Sequence, residues 1–153
     1  QSTQLSANTD LAATVLDAAN VKADITLDGI SLLPFARQAP RRADRTILHE
    51  GLVAGDTDRD NGGEKGSGPG SYEAVRTDRF LYVHWDSGAK ELYDTLRDPL
   101  ENHSLHRDRR YDKIRRLLSA EVVRIRRCRG SVCNRGLPKL RAAARKLSRS
   151  RAR

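Results

Sequence analysis

The stretch Glu91–Leu105, "ELYDTLRDPLENHSL", decides the fold because its character changes twice within 15 residues. Leu92 and Tyr93 belong to an apolar, strand-like run, and Asp98-Pro99 then prevents the strand from continuing, since proline has no N–H for a ladder hydrogen bond. Turn-forming polar residues follow before Leu105 restores an apolar position. The stretch therefore predicts the end of a strand and a polar crossing toward a helix.

Upstream of this stretch, two β-rich runs, "SYEAVRT" (71–77) and "RFLYVHW" (79–85), are hinged at Asp78. The turn "DSGA" (86–89) connects the second run to "KELYD" (90–94). We expect three adjacent antiparallel strands, with "RTILHEG" (45–51) as one more strand between polar loops.

Downstream, a helix of about Tyr111 to Arg127 is predicted from apolar residues at steps of three or four. These residues are Tyr111, Ile114, Leu118, Val122 and Ile125, with Leu117 beside them. Such a stripe needs a sheet to cover, so the sequence favours a helix packed on the predicted strands.

A shorter helix is predicted near the start, in "NTDLAATVLDAANV" (8–21). Asn8, Thr9 and Asp10 are all able to cap free N–H groups. An apolar face of Leu11, Val15 and Leu16 follows. "DGISLLP" (28–34) then has turn residues and a proline stop.

Residues 53–70 are Gly-rich and almost free of apolar side chains, which predicts a long exposed loop. The C-terminal segment, 134–153, is strongly cationic and has apolar residues at helical spacing, namely Leu137, Leu140, Ala144 and Leu147. It is predicted to be either a marginal amphipathic helix or disordered.

The charge of the 153-residue chain is unevenly distributed, with +15 over residues 107–153 and −6 over residues 1–106. The basic block favours polyanionic partners, although charge alone does not choose among nucleic acid, anionic lipid and sulfated polysaccharide. No nucleic-acid motif is present, so sequence-specific nucleic-acid binding is not expected. No apolar run approaches the roughly 20 residues of a transmembrane helix. These 153 residues include no signal peptide, and a leader is expected to belong to the missing upstream part.

The sequence contains no methionine, so Gln1 is not expected to be a translation start and the chain is expected to be a processed or partial product. Cys128 and Cys133, in "CRGSVC", favour a small disulfide loop, which suits an exported protein. Two free thiols are the main alternative. Zinc is disfavoured because neither a second Cys pair nor a neighbouring His supplies the remaining ligands.

Several phrases in this order resemble the C-terminal part of a sulfatase, the family of sulfuric ester hydrolases with an alkaline-phosphatase-like fold. They are "TDLAATVLDAANV", "DGISLLP", "YEAVRTDRFLYV", "ELYDTLRDPLEN" and a helix ending in "CRGSVC", and together they cover roughly residues 5–133. In the first phrase Ala13 stands where the family usually has proline.

The resemblance implies an α+β fold, in which a small antiparallel sheet of about four strands is packed by a long C-terminal helix. Residues 1–44 would be the tail end of the large α/β domain of a sulfatase. Residues 45–133 would be the C-terminal subdomain, and residues 134–153 a basic tail. Because residues 1–44 would normally pack on the α/β domain, the chain alone is expected to expose apolar helix surface and to be poorly stable or to associate.

The resemblance also implies chemistry that this chain lacks. Sulfatases use a formylglycine made in a Cys/Ser-x-Pro-x-Arg motif, together with a divalent metal, for which calcium is expected, and both would belong to a missing catalytic domain. "QAPRR" (38–42) has the right Pro and Arg spacing, but Gln38 cannot become formylglycine. Asp60-Asn61-Gly62 with Lys65 resembles the family's metal pair but follows the "TDL" helix, so it is interpreted as a solvated loop.

The resemblance implies that the C-terminal subdomain borders the mouth of the catalytic pocket. The candidate substrate contacts are therefore residues near predicted strand ends, namely His49, Glu50 and Trp85. The alternative is that these residues are ordinary structural or surface positions. No catalytic, cofactor-binding or metal residue is assigned within the chain.

The function expected is therefore that of a C-terminal fragment of an exported sulfatase, inactive alone, which completes the fold of the catalytic domain and borders its pocket. The alternative is a polyanion-binding module that uses the basic C-terminal block. A decayed gene product without function is a third possibility.

Overall fold

The computed structural model describes residues 4–37, 43–52 and 70–150. "QAPRR", the Asp60-Asn61-Gly62 segment with Lys65 and all but the last residue of the Gly-rich loop therefore lie outside the described residues. The described residues form four α-helices: α1 (Thr9–Ala18), α2 (Leu33–Arg37), α3 (Asp112–Ile125) and α4 (Pro138–Ser150). The strands are β1 (Ile47–Gly51), β2 (Tyr72–Arg76), β3 (Phe80–Trp85) and β4 (Lys90–Asp94).

The four strands form one antiparallel sheet in the order β1-β2-β3-β4, which confirms the predicted α+β fold. Leu48, Val75, Tyr82 and Leu92 lie in one row across the sheet, because each is paired in register with the next. Paired residues point to the same side, and the helix α3 covers this side, which we call the inner face. The opposite side is the outer face.

The apolar stripe predicted for α3 forms the centre of the core. Ile114, Leu118, Val122 and Ile125 are buried together with Tyr111, which lies in a short 3-10 turn (Arg109–Tyr111) before the helix. They pack on Phe80, Tyr82 and Leu92 of the sheet. The periodicity of the sequence was sufficient to place this helix because one of its faces is buried against a single layer.

The basic C-terminal segment forms the regular helix α4, which settles the open choice between a helix and disorder for residues 138–150. Its buried residues, Leu140, Ala143, Ala144 and Leu147, join the core cluster. Because α4 packs against α3, it adds a second helix to the covering layer of the sheet. Among the described residues, no helix is long and apolar enough to cross a membrane.

After β4 the chain turns back, and residues 104–105 lie beside β4. The Leu105 N–H donates to the Leu92 carbonyl at 2.7 Å, and the Leu92 N–H donates to Ser104 Oγ at 3.2 Å. Asp98 Oδ2 accepts a hydrogen bond from the His103 N–H at 2.7 Å, which closes the intervening turn. The polar crossing therefore covers part of the free edge of β4, where unpaired backbone groups would otherwise be exposed.

Asp10 has a different role from the predicted helix cap. It lies in the first turn of α1 and is fully buried, and its carboxylate accepts hydrogen bonds from the N–H groups of Ala7 and Ile30 at 2.8 and 2.9 Å. Arg45 Nη1 lies 2.9 and 2.8 Å from the two Asp10 oxygens. Asp10 thus joins three separate segments, while the predicted cap Asn8 makes no side-chain capping hydrogen bond.

The cysteine loop also packs on the N-terminal region. Cys128 and Cys133 form a disulfide with a Cα–Cα distance of 5.2 Å. Gly130, which has a φ of +67°, donates its N–H to Asp28 Oδ1, and the Asn134 side-chain amide donates to the Asp28 carbonyl at 2.6 Å. The "DGISLLP" phrase is therefore a docking turn for the disulfide loop, over a separation of about one hundred residues.

Candidate functional site

The three residues predicted to contact substrate lie on two sides of the sheet. His49 is paired with Ala74 on the outer face, and Trp85 is paired with Tyr72 on the same face. Glu50 is paired in register with Glu73. Glu73 Oε1 forms an ion pair with Nε of Arg126, the residue that follows α3, at 2.8 Å. Glu50 therefore lies on the inner side, so His49 shares the outer face with Trp85 but not with Glu50.

A cleft of about 770 Å³ lies along the free edge of β1. Both His49 and Glu50 line it, together with Tyr72, the segment 6–9 and the disulfide Cys128–Cys133. Trp85 is not among its lining residues. The cleft is large enough for a monosaccharide-sized ligand, since pockets for small molecules range from about 300 to 1,000 Å³.

The outer face beside this cleft carries an ordered aromatic and acidic group. Tyr72 and Trp85 have ring centroids 5.0 Å apart. Glu91 accepts hydrogen bonds from Trp85 Nε1 at 2.9 Å and from the Tyr93 hydroxyl at 2.8 Å. Gly51 leaves room for this ring pair, because a Cβ at this position would lie 2.1 Å from the ring of Tyr72 and would displace it.

His49 lies in an electrostatic environment that favours its neutral form. Loss of hydration lowers the pKa of His49, and the neighbouring Arg76 lowers this pKa further, whereas Glu101 opposes both effects. Arg76 and Glu101 form an ion pair with each other at 2.5 Å, so the two charges largely offset each other. At neutral pH His49 is able to accept or donate one hydrogen bond at the cleft.

The buried carboxylates in the described residues are each neutralised by an arginine. Asp94 accepts from Arg79 Nε and Nη2 at 2.8 and 2.7 Å, and Glu121 accepts from Arg124 Nε at 2.8 Å. Asp10 is paired with Arg45 in the same way. Such pairs hold structure together because a buried charge without its partner is strongly unfavourable.

The calcium and formylglycine implied by the resemblance do not fit the described residues. Calcium needs six to eight oxygen ligands, but the buried carboxylate oxygens are already held by arginines. No group of three or more His, Cys, Asp or Glu in the described parts of the chain is arranged to hold a metal ion. The cysteines are joined to each other, so neither is a free nucleophile.

The buried ion pairs and hydrogen bonds that connect distant segments were not predicted from the sequence. Arg79 and Asp94 lie 15 residues apart, and Thr46 donates to Glu121 over a separation of 75 residues. One feature of the sequence could have indicated these contacts. At Asp94 and Glu121 an acidic residue stands within a strand or helix pattern at a position where an apolar residue would be expected.

No family model matches the sequence, and no curated protein matches it. Solved structures do match the fold. A protein crystallised with its substrate, D-glucosamine-2-N,6-O-disulfate, has a TM-score of 0.57 and 23% identity, over 75% of this chain and 22% of that one. A 2-O GAG sulfatase has a TM-score of 0.55 and 25% identity, over 75% of this chain and 24% of that one.

The phosphonate monoester hydrolase of Agrobacterium radiobacter is similar to the same extent, with a TM-score of 0.54 and 24% identity over 76% of this chain. This chain spans only 22–24% of the length of these three proteins. The similarity establishes the fold, and it confirms the predicted resemblance to the C-terminal portion of a sulfatase.

Proposed function

Because the chain has the fold of the C-terminal portion of a sulfatase, we propose that it is the covering lobe of a sulfuric ester hydrolase. In this proposal the lobe supplies no reacting group, completes the fold of a larger catalytic domain and borders the substrate pocket. The observation that carries the proposal is the fold match itself, which spans most of this chain but about a quarter of each matched protein.

The surface of α1 supports the proposed docking to a catalytic domain. Leu11 and Val15 on this helix are 62% and 66% exposed, and Val21 and Ile25 just beyond it are 53% and 69% exposed. Apolar residues grouped in this way mark interaction surfaces in soluble proteins. The occupant proposed is the α/β domain, because α1 is the segment that the resemblance assigns to that domain.

His49, Glu50 and Trp85 are the proposed substrate contacts, since His49 and Glu50 line the cleft and Trp85 shares the outer face with His49. In the complete enzyme, His49→Ala is expected to change the ratio of kcat/KM between two aryl sulfates at least threefold, about 0.7 kcal/mol of differential transition-state binding. His84→Ala is the matched control, because His84 is exposed on the same sheet but paired with Glu73 on the inner side. An unchanged ratio for His49→Ala removes it from the pocket rim.

The remaining parts of the active site are proposed to belong to the catalytic domain, including calcium and formylglycine. Export is proposed as well, because a disulfide is most stable in an oxidising compartment.

The reading frame upstream of Gln1 tests the proposal at low effort. It is expected to encode a Cys/Ser-x-Pro-x-Arg motif within a hydrolase domain. The complete protein is expected to release sulfate from an aryl sulfate, and a variant of the complete protein with Leu11→Asp and Val15→Asp is expected to lose this activity through failed docking. An upstream frame without any hydrolase domain would contradict the proposal.

Polyanion binding by α4 is the second candidate function, and the packing of this helix favours it. The apolar side of α4 is buried, and among the side chains of residues 138–148 four cations are exposed, namely Lys139, Arg141, Arg145 and Lys146. Arg141 is partly neutralised by Asp44 at 3.1 Å, while the other three are available to a polyanion.

Deleting α4 is not a clean test, because Leu140 and Leu147 belong to the core. The substitutions Lys139→Gln, Arg145→Gln and Lys146→Gln leave the packing intact. Heparin binding by this triple variant should be weaker and should depend less steeply on salt. The control is Lys22→Gln, Arg127→Gln and Arg129→Gln, which removes three exposed charges elsewhere. Equal losses in both variants would show that only net charge matters.

A further inference from the structure

A second cavity, of about 440 Å³, opens between the sheet and the first half of α3. Four cationic side chains line it, contributed by three different segments: Lys90, Arg107, Arg115 and Arg116. His106, Ser119 and the buried ring of Tyr82 complete the lining. No carboxylate is among these lining residues, which distinguishes this cavity from the cleft beside β1.

The arrangement of the cations follows from the fold. Lys90 begins β4 and lies two residues before Leu92, so its side chain starts from the inner face of the sheet. Tyr82, paired with Leu92, forms the floor and is only 2% exposed. The ring of His106 lies above it, with centroids 6.4 Å apart.

Arg115 is fixed in position by two contacts. Its Nη1 donates to the His106 carbonyl at 2.5 Å, and its Nη2 pairs with Asp112 at 2.7 Å. Within the described parts of the chain, no carboxylate pairs with Lys90 or Arg107. Two unpaired cations beside a fixed guanidinium create a strongly positive potential in the cavity.

His106 lies among these positive charges. Burial lowers the pKa of His106, and Arg115, Lys90 and Arg107 each lower it further. Among the described residues, the buried Nδ1 of His106 also has no hydrogen-bond partner. Unsatisfied buried polar atoms are uncommon in folded proteins, and this one lies in a residue that lines the cavity.

We propose that this cavity is a binding site for a tetrahedral oxyanion ester, a sulfate or phosphate group carried on a small polar molecule. Guanidinium and ammonium groups are the side chains that bind such oxyanions most strongly, through charge-assisted hydrogen bonds. The cavity exceeds the size of a lone anion and falls in the range of small-molecule pockets, so it has room for the carrier of the ester. The site is independent of α4, which contributes no lining residue, and of the proposed sulfatase function.

The test uses the full 153-residue chain with inorganic sulfate, inorganic phosphate, glucose 6-sulfate and glucose 6-phosphate, at constant ionic strength set with chloride. Calorimetry gives each Kd, and NMR follows the His106 imidazole. At least one ester should bind saturably and more tightly than the free anions. The pKa of His106 should rise in its presence, because an anion favours the charged imidazolium. Preference for a sulfate or a phosphate ester identifies the ligand class.

Two double variants provide the matched comparison. Lys90→Gln with Arg107→Gln should weaken ester binding at least about tenfold, since each charge-assisted hydrogen bond contributes strongly. Lys22→Gln with Arg127→Gln removes the same charge from exposed positions outside the cavity lining and should change Kd less than about twofold. Equal weakening in both variants, binding of free anions alone, or an unchanged His106 pKa in the wild-type chain would each overturn the proposal.

Discussion

Single buried charges carry much of the specificity of this fold at the residue scale. Asp94 is fully buried at the end of β4, where it accepts two hydrogen bonds from Arg79 and lies 3.4 Å from the hydroxyl of Tyr111. One side chain thus connects the β2–β3 turn, the end of β4 and the entry to α3. These contacts also explain why β4 ends with an aspartate rather than with another apolar residue.

Asp94→Asn is expected to lower the free energy of unfolding by about 3 kcal/mol, because it leaves the charge of Arg79 without its partner. Urea unfolding followed by circular dichroism measures the change. Asp78→Asn, an exposed aspartate in the neighbouring turn, serves as the control and should change it by less than about 0.5 kcal/mol. Equal effects would mean that Asp94 is not structurally important.

Tyr93 provides a prediction at alkaline pH. Burial raises the pKa of Tyr93 to about 12, and the hydrogen bond to Glu91 contributes to the rise. The folded state then keeps a proton that the unfolded state loses near pH 10, so stability falls between about pH 10 and 12. Burial raises the pKa of Tyr111 as well, so phenolate absorbance should show a late-titrating component from both tyrosines, and Tyr93→Phe should reduce the amplitude of this component. An unchanged amplitude in the variant would show that the assignment to Tyr93 is wrong.

At the element scale, periodic elements with one buried face were predictable from the sequence and long-range pairs were not. The stripe of α3 and the three strands of 71–94 were read from local spacing. The first strand begins two residues later than predicted, at Ile47, because the buried Arg45 and Thr46 instead reach Asp10 and Glu121. Such polar contacts depend on which segments meet, and local spacing holds no information about them.

The C-terminal helix illustrates the same limit. Its charge predicted disorder as readily as a helix, but within residues 138–148 four side chains are buried in the core. Isolated short helices are marginal in water, so α4 depends on its packing against α3 rather than on intrinsic propensity.

Leu140→Ala is therefore expected to destabilise the whole domain by about 3 kcal/mol, the usual range for a buried leucine. The neighbouring Lys139→Ala should be nearly neutral, since Lys139 is exposed. Thermal unfolding of both variants measures the difference. A neutral Leu140→Ala variant would show that α4 is not part of the cooperative core.

At the scale of the whole molecule, the two ends of the chain differ in the way they are packed. The C-terminal half forms its own core, whereas α1 leaves Leu11 and Val15 exposed. A lobe that normally docks on a larger domain would have this asymmetry. The sequence predicted an exposed apolar helix surface through the resemblance of residues 1–44 to part of such a domain, and the structure places that surface on α1.

The chain alone is expected to self-associate through this surface. Light scattering should show concentration-dependent association that Leu11→Ser with Val15→Ser reduces, because the variant removes about half of the exposed apolar patch. Val123→Ser with Val132→Ser removes two exposed apolar residues elsewhere and should have little effect. A wild-type chain that stays monomeric at high concentration would argue against an exposed docking surface.

The central claim is that this chain completes an enzyme whose reactive groups lie on another domain. Its most direct test is sulfate release from an aryl sulfate, measured in parallel for the purified 153-residue chain and for the protein encoded by the complete reading frame. The account predicts steady turnover by the complete protein and none above the enzyme-free blank by the chain alone. Turnover by the isolated chain, or its absence from the complete protein, would contradict the account.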